Sequence, residues 1–99
     1  MPHLVRKKTG EIIYFDKPEF TLGRSEKADH MIGDNSDVSR IHATIIQKNG
    51  VNYILDNEST NHTYVDGTPL EPGKEVLLKN GAVVNMGNEE FVFRLRKED

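Results

Sequence analysis

The sequence contains no cysteine, which removes disulfide staples, thiolate metal ligands and a cysteine nucleophile together. No apolar run approaches the roughly 20 residues needed to cross a bilayer, and the Met1-Pro2-His3 start leads into no signal-like segment. An excess of positive charge is also missing. The formal net charge is −3, whereas binding a phosphate backbone calls for a basic face, so nucleic acid is not an expected partner. Catalytic signatures are lacking too: there is no G-x-S-x-G elbow and no glycine-rich loop ending in Lys-Ser or Lys-Thr. The four histidines (His3, His30, His42 and His62) are too dispersed for a metal spacing such as H-E-x-x-H. Asp34, Asn35 and Asp37 resemble a fragment of a calcium loop, but no Glu follows at the required spacing. These absences predict a non-enzymatic protein with no catalytic residue, metal, cofactor or membrane contact.

Helical periodicity is absent as well: no stretch of ten or more residues shows a clean 3.6-residue apolar repeat. What is present is punctuation. Turn pairs such as Thr9-Gly10, Asn49-Gly50, Asp66-Gly67, Asn80-Gly81 and Gly87-Asn88 separate short β-branched and aromatic runs. Spacing of about 8–12 residues between turns is the pattern of an all-β sandwich or barrel. Asn49-Gly50 is the strongest hairpin signal, since a type I′ turn needs positive φ at both central residues. Asn80-Gly81 is expected to join Leu78 and Val83 in the same way. A chain of 99 residues, 35% hydrophobic and 29% charged, has the material for one core and no deep cavity beside it. The expected organisation is a single domain over residues 1–99, cytoplasmic by default.

One segment breaks the rhythm. Residues 25–39 are polar, with Glu26, Lys27, Asp29, Asp34 and Asp37, and hold little apolar content beyond Met31, Ile32 and Val38. Met31-Ile32 reads as a very short buried strand. Loops of this length in a small domain tend to carry function. Gly23-Arg24 and Ser39-Arg40-Ile41-His42 bracket it, and Ser59-Thr60-Asn61-His62-Thr63 repeats similar chemistry further on.

In order and spacing, Gly23-Arg24, Ser39-x-x-His42 and Asp56-x-x-Ser59-Thr60-Asn61-x-Thr63-x-Val65-x-Gly67 resemble the signature of forkhead-associated (FHA) domains, across essentially the whole chain. The resemblance implies an eleven-stranded antiparallel β-sandwich of the SMAD/FHA type, with loops at one end that bind phosphothreonine peptides. It implies a module that recruits phosphorylated partners downstream of a Ser/Thr kinase, often within a longer chain or larger assembly. Arg24, Ser39, Arg40, Thr60 and Asn61 are then the phosphopeptide-binding residues, with Gly23 and His42 as structural support. The family usually has Gly where this chain has His62, which makes His62 a candidate specificity residue.

The residue chemistry is consistent with that assignment. A phosphothreonine carries about −1.5 to −2 charges and three acceptor oxygens. Arg24 offers a planar fork of donors, Ser39 and Thr60 offer hydroxyls, and the Asn61 amide suits a peptide backbone. Each residue also has a structural alternative. Arg24 and Arg40 are then surface charges, Ser39 closes a turn, and Asn61 takes up positive φ. Ser39 and His42, three apart on a strand, would point to opposite faces and so not form a nucleophile–base pair. Glu26, Asp29, Asp34 and Asp37 would ring the cationic centre and favour basic residues flanking the phosphate. The rival reading is a β-sandwich that binds its partner without phosphate, through a sheet face or edge.

Overall fold

The computed structural model describes residues 1–96, so Lys97, Glu98 and Asp99 of the charged tail lie outside the described residues. Among these, alternating apolar runs form eleven strands and no helix. In chain order they are β1 His3–Arg6, β2 Ile12–Tyr14, β3 Glu19–Gly23, β4 His30–Met31, β5 Ala43–Lys48 and β6 Val51–Asp56, then β7 Thr63–Val65, β8 Thr68–Pro69, β9 Val76–Leu77, β10 Val83–Met86 and β11 Glu89–Arg94. A six-stranded sheet runs β2-β1-β11-β10-β7-β8, and a five-stranded sheet runs β4-β3-β5-β6-β9. All pairs are antiparallel except β3 with β4, which is parallel because residues 24–29 bring the chain back to run in the same direction.

Period-two alternation fills the space between the sheets. In β11, Phe91 and Phe93 are fully buried; across the sandwich Leu22, Ile45 and Ile54 oppose them. The long polar loop is pinned to this core by Ile32 and Val38, both with no exposed surface. Burial of side chains of that size stabilises by about 1.5–3 kcal/mol each. The short strand lies one residue earlier than the sequence suggests, at His30–Met31, and Met31 is exposed while Ile32 is the buried anchor.

Two glycine turns that look alike in sequence differ in the fold. Asn49 and Gly50 have φ of 53° and 76° and close the β5–β6 hairpin, as a type I′ turn requires. Asn80-Gly81 instead carries the chain from β9 in one sheet to β10 in the other. Only Gly81 has positive φ there, and the Asn80 side chain accepts a hydrogen bond from the Leu95 amide at 2.9 Å. The expected second hairpin is therefore a crossover. Register places the loops 24–42, 57–62 and 87–88 together at one end of the sandwich, since they follow β3, β6 and β10 on the side where β5, β7 and β11 begin.

Candidate functional site

Loop 24–42 is closed at its base by backbone pairing. Arg24 N donates to the Ser39 carbonyl at 2.9 Å, and Ser25 N to the Arg40 carbonyl at 3.0 Å. This pairing runs directly past Gly23. A Cβ there would stand 2.1 Å from the Arg40 carbonyl oxygen, so only glycine permits the approach. The Arg24 Nε–H donates to the Val38 carbonyl at 3.0 Å. That bond fixes the guanidinium by its stem and leaves both terminal amino groups for a ligand.

Ser39 is held from two sides. Its amide donates to His42 Nδ1 at 2.9 Å, and its Oγ accepts the Thr60 amide at 3.0 Å. A hydroxyl that accepts from the protein retains its own proton for an outside acceptor. Because His42 Nδ1 accepts, its proton resides on Nε2, which donates to the His62 carbonyl at 2.9 Å. The ring is fully buried, and burial holds its pKa below the ordinary 6.5, so the neutral form is favoured. One neutral imidazole thus ties loop 24–42 to loop 57–62. It lies just before β5 rather than within it, and residues 39–42 form a turn, which is why strand alternation does not separate Ser39 from His42. Their contact is amide to ring, with both ring nitrogens occupied by backbone groups, so the geometry offers no nucleophile–base pair.

The second loop organises around Asp56. This carboxylate, 1% exposed, accepts the Ser59 amide at 3.0 Å, the Ser59 hydroxyl and the Thr63 hydroxyl at 2.7 Å. Burial pushes its pKa up, but the hydrogen bonds from Ser59 and Thr63 together outweigh it and keep the carboxyl below the ordinary range. With that scaffold in place, Asn61 Nδ2 donates to the Asp37 carbonyl at 3.0 Å, joining the loops a second time. Positive φ falls on His62, at 64°, and not on Asn61. The reading of Asn61 as a mere turn former is thereby excluded. Tyr64 and Asn88 join Asp37, Asn61 and Gly87 around a shallow depression of about 270 Å³.

Sequence reasoning missed the clamp under the long loop. Arg6 at the end of β1 donates to Glu89 at 2.7 Å and to Asp34 at 2.7 Å, while Asn35 Nδ2 donates to Glu89 at 2.6 Å and to Asn88 at 2.7 Å. Arg6 and Glu89 are both buried, and the hydrogen bond from Arg6 holds the Glu89 carboxyl below its ordinary pKa against the opposing effect of burial. Partners 83 residues apart leave no local signal. Only the D-x-x-S spacing of Asp56 and Ser59 was a readable cue, as a side chain–amide turn motif. The expected acidic ring is also smaller than the sequence indicates: Asp34 is bound to Arg6, and Asp29 to Lys17 and Thr21. Glu26 and Asp37 remain without a cationic partner among the described residues. Arg40 is exposed at the mouth, with no side-chain partner among the described residues.

Arg24, Ser39, Arg40, Thr60 and Asn61 are thus brought to one end by a shared set of cross-links. Comparisons with known proteins point the same way. The chain is 38% identical over 60 residues to protein FraH of Nostoc sp., covering 61% of this chain and 21% of that protein. It is 33% identical over 84 residues to the oxoglutarate dehydrogenase inhibitor of Corynebacterium diphtheriae, covering 85% and 56%. A solved chain described in terms of phosphothreonine-dependent FHA domain interactions overlays with a TM-score of 0.86 at 26% identity, covering 98% of each chain. The FhaA FHA domain, solved in complex with the intracellular domain of Rv3910, overlays at 0.85 with 26% identity, covering 95% of this chain and 100% of that one. The FHA domain pattern itself matches residues 20–87, well over half of the sequence, and the chain belongs to the FHA domain family.

Proposed function

We propose that this domain binds a phosphothreonine-containing segment of a partner protein and recruits it downstream of a Ser/Thr kinase, without catalysis and in the cytoplasm. One observation carries the reading: Arg24 and Ser39 are immobilised by protein contacts that consume neither the terminal guanidinium donors nor the hydroxyl proton. Donors fixed in advance lose little entropy when a phosphate arrives. Thr60 and Arg40 sit beside them to supply further donors, and Asn61, with its carbonyl oxygen uncommitted, faces the peptide backbone. The neutral buried His42 acts as a brace, in keeping with a non-enzymatic role. This domain is one recruiting element, whatever longer chain it serves in.

The depression beside Asn61 sets a flanking preference. Asp37 and Tyr64 line it, and a carboxylate next to an aromatic face suits a Lys or Arg side chain. An exposed pair of this kind discriminates by up to about fivefold.

Calorimetric titration with a phosphothreonine peptide library, before and after phosphatase treatment, tests the proposal. Binding is expected only before treatment, and Arg24→Ala should weaken it by about tenfold or more. Affinity indifferent to phosphatase would favour the rival, phosphate-independent reading.

A further inference from the structure

Beside the phosphate site lies an apolar groove of about 750 Å³, lined in part by His62, Val65, Pro69, Leu70 and Val76. Val65 of β7 and Val76 of β9 pack against the core yet stay half-buried. They mark a side on which the two sheets fail to close over it. The reason lies in the topology: the outermost strands on this side, β8 and β9, are only two residues long. Residues 70–75 cross between them, and Leu70 plugs the floor at 7% exposure. Pro69 and Pro72 form much of the wall. Proline has no N–H to leave unpaired, so this wall presents rigid apolar rings and little that a covering group would have to desolvate. Glu71 and Lys74 also line the recess and have opposite sign, which gives the groove no net attraction for a charged ligand.

His62 joins this groove to the phosphate loop. It follows Asn61 in sequence, its backbone carbonyl is held by His42 and by the Gly87 amide, and its side chain lines the groove. The ring meets Tyr64 edge-on, with centroids 6.3 Å apart and planes at 82°. Tyr64 lines the polar depression on its other side, so the two rings form a ridge between a polar recess and an apolar one. Held at φ 64°, His62 gives the groove a wall that a glycine would not.

We propose that the groove is a second recognition site, occupied by an apolar side chain (Leu, Ile, Met or Phe) of the same phosphorylated partner, in the chain flanking its phosphothreonine. This rests on the phosphothreonine reading above. The occupant follows from continuity: a segment anchored at Arg24, Ser39 and Asn61 reaches the His62 ridge without a second binding event, so the apolar contact is made at high effective concentration. A recess of this size lies in the range of clefts that take organic groups, roughly 300–1,000 Å³. Its scarcity of converging polar groups selects an apolar side chain over a polar metabolite.

The test uses one short phosphothreonine peptide and a series in which Leu is stepped through Gly-Ser extensions on each side, titrated against the wild-type domain, Pro69→Glu and Val76→Lys. Leu at one or two positions on one side should raise affinity about tenfold. Both variants should erase that gain while binding the short peptide as wild type does; Pro69 is exposed, so its substitution leaves the core intact. A gain below about twofold at every position, or one that survives both variants, overturns the groove proposal alone. A short peptide that fails to bind the wild type overturns the phosphothreonine reading and this proposal with it. Self-association of the free domain that Pro69→Glu abolishes would overturn it differently, by assigning the groove to a second copy of the chain.

Discussion

At the end of the sandwich where β5 turns into β6, a single Asn-Gly pair does the work. Gly50 has open space around it, with nothing within 4 Å of where a Cβ would be. At the opposite end, loops 24–42 and 57–62 are also held by one another and by distant strands. Ser39 reaches Thr60, Asn61 reaches Asp37, His42 reaches His62, and Arg6 reaches Glu89 and Asp34. One end is specified by local backbone preference and tolerates change. The other is specified by polar contacts between distant segments, and losing one side of a contact to buried Glu89 or buried His42 leaves a buried group unsatisfied. A binding site benefits from the second arrangement because it fixes donors in place before the ligand arrives.

Substitutions at the two ends should therefore differ in kind. The largest effect is expected for Gly23→Ala, whose methyl meets the Arg40 carbonyl: a loss of about 3 kcal/mol in denaturant unfolding, together with loss of phosphopeptide binding. Binding retained at full strength would show that the loop base yields. Asp56→Ala strips the partners from Ser59 and the fully buried Thr63 and should cost roughly 2–3 kcal/mol. Binding should fall further than it does in Gly50→Ala, measured by the same titration.

Acid should expose the same contrast. His42 has its pKa lowered by burial, so the unfolded chain binds its proton more readily than the folded one. Stability should hold above the ordinary value of 6.5 and begin to fall as pH drops below it. Glu89, lowered from 4.5 by Arg6, and Asp56, lowered from 3.8, contribute above those values and are lost as pH falls through their folded ones. Chemical denaturation across this range should show two declines, and His42→Gln should remove the upper one. Amide exchange should place the early loosening in loops 24–42 and 57–62, not at Asn49-Gly50.

How legible each end was follows from the same physics. Asn49-Gly50 was readable because its conformation is dictated by two adjacent residues. Asn80-Gly81 misled because the dipeptide gives a local conformation, while the choice between a hairpin and a sheet crossover lies in what β9 and β10 each pair with. The candidate site residues were singled out by the FHA-like spacing, and the fold brings Arg24, Ser39 and Asn61 to one end of the sandwich. What the spacing could not convey was the support: Arg6, Asn35 and Glu89 meet only after the fold has formed. Ser39 and His42 were misjudged for a related reason, since period-two alternation does not apply to a turn.

The smaller effects sharpen the comparison. His62→Gly relieves a left-handed residue and should stabilise by about 1 kcal/mol, leaving short-peptide affinity within about threefold. A large gain in affinity would mean that His62 distorts the phosphate loop. Gly50→Ala should cost about 1 kcal/mol from its φ of 76° and leave affinity unchanged.

The most direct test of the central claim is a residue-resolved NMR titration with phosphothreonine, phosphoserine and unphosphorylated forms of one library-selected peptide. The account predicts saturable shifts at Arg24, Ser39, Thr60 and Asn61 with the phosphothreonine form, none with the unphosphorylated form, and none in Arg24→Ala. Shifts that ignore phosphorylation, or that persist in Arg24→Ala, would contradict it.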